Sequence, residues 1–274
     1  MTRPMLSETV AVRRHEILHG EYRVLEMTAP GIGPHVTPGQ FVHLLVPGLD
    51  DALLRRPFSI YRADHVSISI LYKPVGKGTR AMVDIAPGQT ISLIGPLGNG
   101  FPVNDAIKHP LLVAGGYGMA ALYMVAAGMT ETGTIFMGGR TAADILCVDD
   151  FRAIDWTVEI TTEDGSLGRR GLVTAALDDY LSNWKSAPIP TATPEFFACG
   201  PNPMLRAVSD RARHDGYTAW LSMDRNMGCG VGACLVCVQK VRDPRGANGD
   251  WIWARVCTEG PVFECNQIVW DEHE

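Results

Sequence analysis

Long apolar stretches and an excess of basic residues are both missing from this sequence of 274 residues. Its longest apolar-rich runs, such as ALYMVAAGM at 121–129, fall well short of the ~20 residues that a membrane-spanning helix needs. Lys and Arg together number 24 against 30 Asp and Glu, which gives a net charge of -6. Because nucleic-acid binders normally carry a basic excess, the sequence predicts a globular protein that contacts neither a membrane nor nucleic acid.

Export signals and a disulfide framework are missing as well. The opening stretch MTRPMLSETVAVRRHEILHG contains no apolar core of the kind that a signal peptide has. The seven cysteines are odd in number and too sparse for a small disulfide-stapled domain. We therefore expect a cytoplasmic protein in which clustered cysteines bind metal or take part in redox chemistry.

Three of the cysteines lie in one short segment, MGCGVGACLVCV at 227–238. Cys229, Cys234 and Cys237 have the spacing C-x4-C-x2-C. With Cys257 as a distant fourth thiolate, this is the spacing of the plant-type [2Fe–2S] ferredoxin loop. A zinc site usually has a second short cysteine pair, which this sequence does not offer. The spacing therefore favours a [2Fe–2S] cluster over a zinc site or a disulfide framework.

Glycines separate these cysteines. We expect Gly228, Gly230 and Gly232 to adopt positive φ, so that the loop turns tightly. Such a loop aims backbone N–H groups at the cluster sulfurs, which tunes the reduction potential. Cys147 and Cys265 lie outside the spacing and are expected to be small buried residues.

Short strands separated by turn residues dominate the first hundred residues. Gly- and Pro-rich segments such as PGIGPHVTPG and PGLDD separate the strands. This rhythm predicts a small antiparallel β barrel over 1–101. The predicted strands are ETVAVRRHEIL, YRVLEMTAP, QFVHLLVP, RPFSIYRA, VSISILYKPV and QTISLIGPL.

The rhythm changes after residue 109. PLLVAGGYGMAALYMVAAGM has the pattern of a strand, a glycine turn and a helix, and EFFACGPNPMLRAVSDRARHDG that of a strand, a loop and a helix. Strands that alternate with helices predict a parallel-sheet α/β domain over 102–220. The cysteines then fall in a small C-terminal module over 221–274, with a hairpin around DPRGANGD.

The α/β segment contains a glycine motif typical of dinucleotide binding. Gly115, Gly116 and Gly118 lie between an apolar strand and a helix, where a pyrophosphate can approach the backbone. A simple Rossmann fold places an acid after the next strand, whereas FMGGRTAAD has Arg140 there and Asp144 four residues later. This departure favours a different nicotinamide-binding α/β fold, and by charge alone Arg140 suits a 2′-phosphate.

Two motifs in the barrel segment are candidate anion sites. In RRPFSI, Arg56 is either a surface residue paired with a carboxylate or a group that grips a pyrophosphate. Phe58 would supply an apolar face and Ser59 a hydroxyl. GKGT at 76–79 has the residues of a helix N-terminus, a second natural anion site. Together with the nicotinamide-type domain and the iron–sulfur loop, these motifs describe an electron-transfer flavoprotein.

Eight motifs, taken in order, resemble one known family. The resemblance is to the electron-transfer subunits of the two-subunit, NAD-linked dihydroorotate dehydrogenases, within the ferredoxin–NADP reductase superfamily, and it covers nearly the whole length. Ala114 and Tyr117 depart from that family's pattern in the glycine turn. The motifs are LRRPFSI, ILYKPVGKGT, GPLGNGF, LLVAGGYGMAAL, DGSLGRRGLVT, ACGPNPML, SMDRNMGCGVGACLVCV and RVCTEGPVF.

The resemblance implies where the cofactors bind. Cys229, Cys234, Cys237 and Cys257 correspond to the cluster ligands. Cys199, in ACGPNPM, would lie at the catalytic contact between flavin and nicotinamide. The residues that correspond to FAD-binding positions are Arg56, Pro57, Phe58, Ser59, Leu71, Tyr72, Lys73, Gly78 and Thr79.

The resemblance also implies a relay between two subunits in pyrimidine biosynthesis. Dihydroorotate would reduce FMN in a TIM-barrel catalytic partner, electrons would pass singly through the cluster to FAD, and FAD would hand a hydride to NAD⁺. It further implies a heterotetramer with two copies of each subunit and a preference for NADH over NADPH.

Other functions stay open on the residues alone. The same barrel and nicotinamide domain serve reductase subunits of other redox complexes, such as hydrogenases, glutamate synthase-like enzymes and oxygenases. A non-catalytic redox sensor would bind flavin and cluster without turnover. A zinc-stabilised binding module would be colourless.

Overall fold

A computed structural model describes residues 5–49, 54–186, 192–246 and 249–271. Within these residues the chain forms a closed six-stranded barrel, a seven-stranded sheet and a two-stranded hairpin. The predicted barrel, parallel-sheet domain and C-terminal module are therefore confirmed. The barrel strands are β1 Leu6–His19, β2 Tyr22–Thr28, β3 Phe41–Leu45, β4 Arg56–Ala63, β5 Ser67–Tyr72 and β6 Thr90–Leu97.

The barrel strands follow the order β1-β2-β5-β4-β3-β6, with every neighbouring pair antiparallel. Successive side chains of a strand point to opposite faces, so Val42 and Leu44 of β3 fill the barrel interior. Phe41 and His43 point outward, yet both are buried because other parts of the chain cover this face. A short helix, α1 Lys77–Ala81, follows β5.

The second unit is an α/β sheet with the order β10-β9-β8-β7-β11-β12-β15. All its pairings are parallel except the last, in which β15 runs antiparallel to β12. Its elements are β7 Pro110–Gly115, α2 Gly118–Ala127, β8 Thr134–Gly139, α3 Val148–Arg152, β9 Thr157–Thr162, β10 Arg169–Arg170, α4 Val173–Lys185, β11 Glu195–Cys199, α5 Asn202–Asp215, β12 Thr218–Ser222 and β15 Val262–Glu264.

The cysteine segment is built around a hairpin, as expected. Strands β13 Val238–Arg242 and β14 Trp251–Arg255 pair antiparallel. The chain then returns to the α/β sheet through β15, so this strand of the predicted cluster segment completes the edge of the neighbouring sheet. The hairpin and the α/β sheet share one hydrophobic core, which includes Cys237, Cys257 and Phe263.

Helix α2 joins the barrel to the α/β domain. Tyr61 on β4 packs edge-on against Tyr123 of α2, with ring centres 5.4 Å apart. The Arg62 guanidinium lies 4.3 Å above the Tyr123 ring and 2.5 Å from a carboxylate oxygen of Asp150. This packing fixes strand β4 of the barrel against helices α2 and α3 of the α/β domain. No helix in the described parts of the chain is long and apolar enough to span a membrane.

Candidate functional site

A cleft of about 700 Å³ opens at the carboxyl edge of the parallel sheet. Residues that follow β7, β8, β9 and β11 form its walls, at the edge where open α/β sheets bind ligands. The barrel contributes Tyr22 to the wall. The residues singled out from the sequence that line this cleft are Gly115, Gly116, Tyr117, Arg140, Asp144 and Cys199.

The glycines between β7 and α2 serve two purposes. Gly116 has φ +55 and nothing within 4 Å of its Cβ direction, so its backbone faces the cleft. A Cβ on Gly115 would lie 2.6 Å from Pro201 Cδ, and one on Gly118 would overlap the Cys199 carbonyl. Gly115 and Gly118 therefore let α2 pack closely against the loop that follows β11.

Cys199 ends β11 and lines the cleft. Burial raises the pKa of its thiol to about 12, the charge of Asp224 adds to this rise, and a hydrogen bond with Ser222 opposes it. The thiol is therefore neutral at physiological pH. Because the thiolate is the reactive form of cysteine, Cys199 is not prepared as a nucleophile.

Asp144 links the two domains at the rim of the cleft. The Tyr22 hydroxyl donates to Asp144 Oδ1 over 3.0 Å, and Lys73 Nζ lies 3.8 Å from the same oxygen. Lys73 Nζ also lies 5.0 Å from the centre of the Tyr22 ring. Burial, and then Asp144, raise the pKa of Tyr22 to about 12. Asp144 therefore joins the α/β domain to the barrel.

Sequence reasoning missed two acids of this cleft. Glu163 directly follows β9, and its backbone N–H donates to the Gly139 carbonyl over 3.0 Å. Asp224, beyond β12, accepts a hydrogen bond from the Tyr117 hydroxyl over 3.1 Å. The signal for Glu163 was its place immediately after a predicted strand. Asp224 carried no such signal, because its cleft neighbours come from distant parts of the sequence.

Arg56 begins β4 and lies against α1. Its Nη1 donates to the carbonyls of Leu54 over 2.6 Å and Arg55 over 3.3 Å. A Cβ on Gly78 would lie 2.9 Å from Arg56 Nε. The missing side chain of Gly78 thus makes room for the guanidinium beside the α1 backbone. A cation in a cradle of this kind fits the pyrophosphate of FAD.

The other predicted flavin-binding residues of β4 point alternately into the barrel and away from it. Phe58 points into the barrel interior, with its ring 6.1 Å from that of Tyr72. Ser59 is exposed, and Pro57 pairs across the strands with His43. Ser59 is therefore the residue of this segment that offers a hydroxyl to a ligand outside the barrel.

The predicted flavin-binding residues at the end of β5 also point to opposite sides of the strand. Tyr72 is buried inside the barrel, and its hydroxyl lies 2.9 Å from His15 Nε2. Leu71 packs in the core shared with the α/β domain, and Lys73 extends to Asp144. Leu71 and Lys73 are thus the side chains of this segment that face the second domain.

Thr79 closes the first turn of α1. Its hydroxyl accepts the backbone N–H groups of Val75 over 2.9 Å and Gly76 over 3.0 Å. These bonds hold the GKGT loop beside Arg56. The predicted FAD-binding residues Gly78 and Thr79 therefore shape the cradle, Gly78 by leaving space and Thr79 by fixing the turn.

The four predicted ligand cysteines form two pairs. The Cys229 thiol interacts with that of Cys234, and the Cys257 thiol with that of Cys237. The Cys257 N–H also donates to Cys237 Sγ over 3.4 Å. In a [2Fe–2S] cluster four protein ligands serve two irons, and two pairs supply that set. No group of three or more Cys, His, Asp or Glu side chains within the described residues is placed to hold a metal ion.

Backbone N–H groups of the loop point at Cys229. Its Sγ accepts from Val231 over 3.4 Å, Ala233 over 3.3 Å and Cys234 over 3.4 Å. Burial opposes ionisation, but these donors outweigh it and lower the pKa of Cys229 to about 6. Burial and the neighbouring Cys237 raise the pKa of Cys257 to about 12. Soft sulfur donors with N–H groups aimed at one of them fit an iron–sulfur cluster.

The glycines of this loop differ in their roles. Gly230 has φ +71 and Gly232 has φ +81, as expected. The prediction of positive φ is wrong for Gly228. There the requirement is space, because a Cβ would lie 3.2 Å from Cys234 Sγ. Leu235, which follows Cys234, adopts φ +56 without being a glycine.

The remaining two cysteines outside the cluster spacing and the cleft are buried. Cys147 precedes α3, and Cys265 follows β15. Burial raises the pKa of each thiol to about 12. Both are therefore protonated at physiological pH and pack as small side chains.

A second cavity, of about 800 Å³, lies between the barrel and α2. Its walls carry charges of both signs, including Arg14, Glu26, Arg62 and Asp150. None of the residues predicted from the sequence as cofactor ligands lines it. The smaller cleft, which is lined by Gly115, Gly116 and Cys199, is therefore the functional candidate.

Comparison with known proteins gives one consistent result. Residues 224–269 match the iron-sulfur cluster binding domain of dihydroorotate dehydrogenase B. The dihydroorotate dehydrogenase B (NAD(+)) electron transfer subunit of Geobacillus kaustophilus is 37% identical over 256 residues, which cover 90% of this chain and 93% of that protein. The corresponding subunit of Desulforamulus reducens is 34% identical over 252 residues, with 90% and 92% covered.

Solved structures share the fold. An NADH-dependent reduced ferredoxin-NADP oxidoreductase, studied for flavin-based electron bifurcation, superposes with a TM-score of 0.81 at 26% identity, over 96% of this chain and 90% of that chain. Phthalate dioxygenase reductase, which transfers electrons from pyridine nucleotides to [2Fe-2S], gives a TM-score of 0.60 at 16% identity, over 92% and 94%. The second likeness shows the fold alone.

Proposed function

This chain belongs to the family of dihydroorotate dehydrogenase B electron transfer subunits, and on that basis we propose that it carries electrons between a partner that oxidises dihydroorotate and NAD. One observation carries the proposal beyond family membership. The cysteine loop packs on the outer face of β3, where Gly230 touches His43, and β3 pairs with β4, which holds Arg56 and Ser59. The candidate cluster site thus adjoins the candidate flavin site.

We assign the cluster to the two cysteine pairs. Cys229 and Cys234 would hold one iron, and Cys237 and Cys257 the other, because the thiols of each pair already interact. Cys234 is exposed, whereas Cys237 and Cys257 are buried. The cluster would therefore have one side towards solvent and the other towards the protein.

FAD is assigned to the outer face of the barrel between α1 and the cleft. Arg56 would bind the pyrophosphate beside Gly78 and Thr79, and Ser59 and Leu71 would face the ring. Pro57 and Lys73 flank this face. Phe58 and Tyr72 would not contact FAD directly. Their rings pack in the barrel interior and would support the strands on which FAD lies.

The cleft is assigned to NAD. Helix α2 starts at Gly118 without a side-chain cap, so its first N–H groups suit a pyrophosphate that approaches over Gly116. Cys199 would contact the nicotinamide where the cleft meets the barrel. When bound, FAD supplies hydride chemistry with the nicotinamide and one-electron chemistry with the cluster. The Tyr22–Asp144 bond would hold the two domains together beside the nicotinamide.

We propose a division of labour among three segments: a flavin barrel over 1–101, a nicotinamide domain over 102–220 and a cluster module over 221–274. The return of β15 to the sheet ties the third segment to the second. None of the seven cysteines, all of which lie in the described residues, forms a disulfide, which suits the reducing cytoplasm, where we place the protein.

The partner is proposed to be an FMN-containing TIM-barrel dihydroorotate dehydrogenase subunit, in a heterotetramer with two copies of each chain. Leu235 and Val236 beside the exposed Cys234 are 62% and 56% exposed. Trp251 and Trp253 of the adjacent hairpin are also exposed. Apolar groups gathered next to the outer cluster ligand are typical of a protein interaction surface, and contact there would bring a second flavin close to the cluster.

One experiment tests the function. The purified chain, loaded with FAD and cluster, is combined with a purified FMN-containing dihydroorotate dehydrogenase subunit, and dihydroorotate-dependent reduction of NAD⁺ is followed by absorbance. We expect turnover only with both chains present. NADH oxidation with an artificial dye but no coupled turnover would point to another redox partner, and the absence of both activities would favour a sensor.

A further inference from the structure

His43 is a fully buried histidine whose ring nitrogens have no hydrogen-bond partner among the described residues. Its side chain is 0% exposed, and neither Nδ1 nor Nε2 has a hydrogen-bond partner within the described chain. A buried polar group without a partner costs about 1–3 kcal/mol, so most such groups in folded proteins are satisfied. The ring therefore points to a bound group.

The position of the His43 ring indicates which bound group it contacts. His43 lies on the outward face of β3, opposite the interior residues Val42 and Leu44. On its own face it pairs with Pro57 of β4, which has no N–H to offer and carries a purely apolar side chain. The cysteine loop covers the ring, and a Cβ on Gly230 would lie 2.8 Å from His43 Nδ1.

Gly230 is the residue after Cys229. The ring is thus packed against the loop that curls around the Cys229 sulfur, which already accepts three backbone N–H groups. Those donors come from the loop itself. His43 is a side chain that the barrel brings to the same place.

The ring is neutral where it lies. Burial, and then the charges of Arg55 and Arg56, lower the pKa of His43 to about 4. A neutral imidazole carries one N–H donor and one acceptor nitrogen. It can therefore donate one hydrogen bond without bringing a positive charge into the space between the flavin strand and the cysteine loop.

We propose that His43 is a positioning residue of the relay, which donates its ring N–H to a sulfur of the [2Fe–2S] cluster at the Cys229 side. This rests on the proposed function. Hydrogen bonds to cluster sulfurs stabilise the more negative, reduced state, so they raise the reduction potential. His43 would thereby adjust the driving force between cluster and flavin from the barrel side of their boundary.

The test compares reduction potentials in holoprotein. His43→Phe keeps a planar ring but removes the N–H. Phe41→Leu changes the neighbouring outward residue of β3, whose ring packs edge-on against His43, and removes no donor. The cluster is titrated by EPR and FAD by visible absorption, after iron, sulfide and flavin contents have been matched. We expect the cluster potential of His43→Phe to shift to a more negative value, with that of FAD unchanged and Phe41→Leu like the wild type.

Several results would overturn the proposal. An unchanged cluster potential in His43→Phe would do so, and so would a shift of the FAD potential alone, because the N–H would then belong to the flavin. If the variant does not assemble the cluster, the wild type decides: with ¹⁵N-labelled histidine, pulsed EPR of the reduced cluster should detect a weakly coupled histidine nitrogen, and its absence refutes the bond. A wild type without any [2Fe–2S] signal would instead refute the proposed function.

Discussion

Replacing Arg56 with Ala should weaken FAD binding by about 10- to 150-fold. The guanidinium lies beside Gly78. Within the described residues its hydrogen bonds both come from Nη1 and go to nearby carbonyls. Nε and Nη2 then form the free side of the fork for an anion. A hydrogen bond to a charged group contributes about 1.5–3 kcal/mol, and at about 1.4 kcal/mol per tenfold this gives the stated loss.

Flavin release on dilution, followed by fluorescence, measures the effect. Arg13→Ala is the matched control, because Arg13 is a surface arginine of the same barrel paired with Glu26 at 2.9 Å. Arg56→Lys should fall between Ala and the wild type, since lysine keeps the charge but not the planar fork. If Arg56→Ala retains flavin as the wild type does, Arg56 is a surface residue and the cradle has been misassigned.

Three further predictions concern the relay. Cys257→Ala should abolish the cluster signal and coupled dihydroorotate turnover. NADH-to-dye activity should survive, because hydride transfer needs only the barrel and the cleft. Full coupled turnover in this variant would contradict the proposed path. Cys199→Ala should slow NADH-to-FAD hydride transfer by about tenfold to hundredfold through misplacement of the nicotinamide, and an unchanged stopped-flow rate would remove Cys199 from the site. The wild type should have a higher kcat/KM with NADH than with NADPH. Glu163→Gln should reduce this preference, because a carboxylate at the cleft repels a 2′-phosphate. A wild-type preference for NADPH would show that Arg140 controls selectivity.

The sequence predicted elements that depend on local order. Six apolar strands with Gly and Pro between them can form few compact structures, and a closed antiparallel barrel is one of them. The cysteine spacing likewise depends on neighbours along the chain, since one loop must present Cys229, Cys234 and Cys237 together. The glycine turn after β7 was identified for the same reason.

Features that depend on contacts between distant segments were not accessible. The Tyr22–Asp144 bond joins residues 122 positions apart, and Asp144 therefore acts at the domain junction. The direction of each side chain was also hidden in segments recognised only as whole motifs: Phe58 and Tyr72 point into the barrel, whereas Ser59 and Lys73 do not. Which face is interior is decided by closure of the barrel, and a motif carries no information about that.

The cysteine segment is held against the barrel and the sheet by contacts of the protein itself. Strand β15 pairs with β12 in the sheet, and Asn99, just beyond β6, donates its side-chain N–H groups to the carbonyls of Thr258 over 3.2 Å and Glu259 over 3.0 Å. These contacts flank Cys257 but use none of the cysteine sulfurs. A chain that has lost its cluster should therefore keep the module docked and its FAD bound. Simultaneous loss of FAD in Cys257→Ala would show the reverse, that the cluster itself holds the module against the barrel.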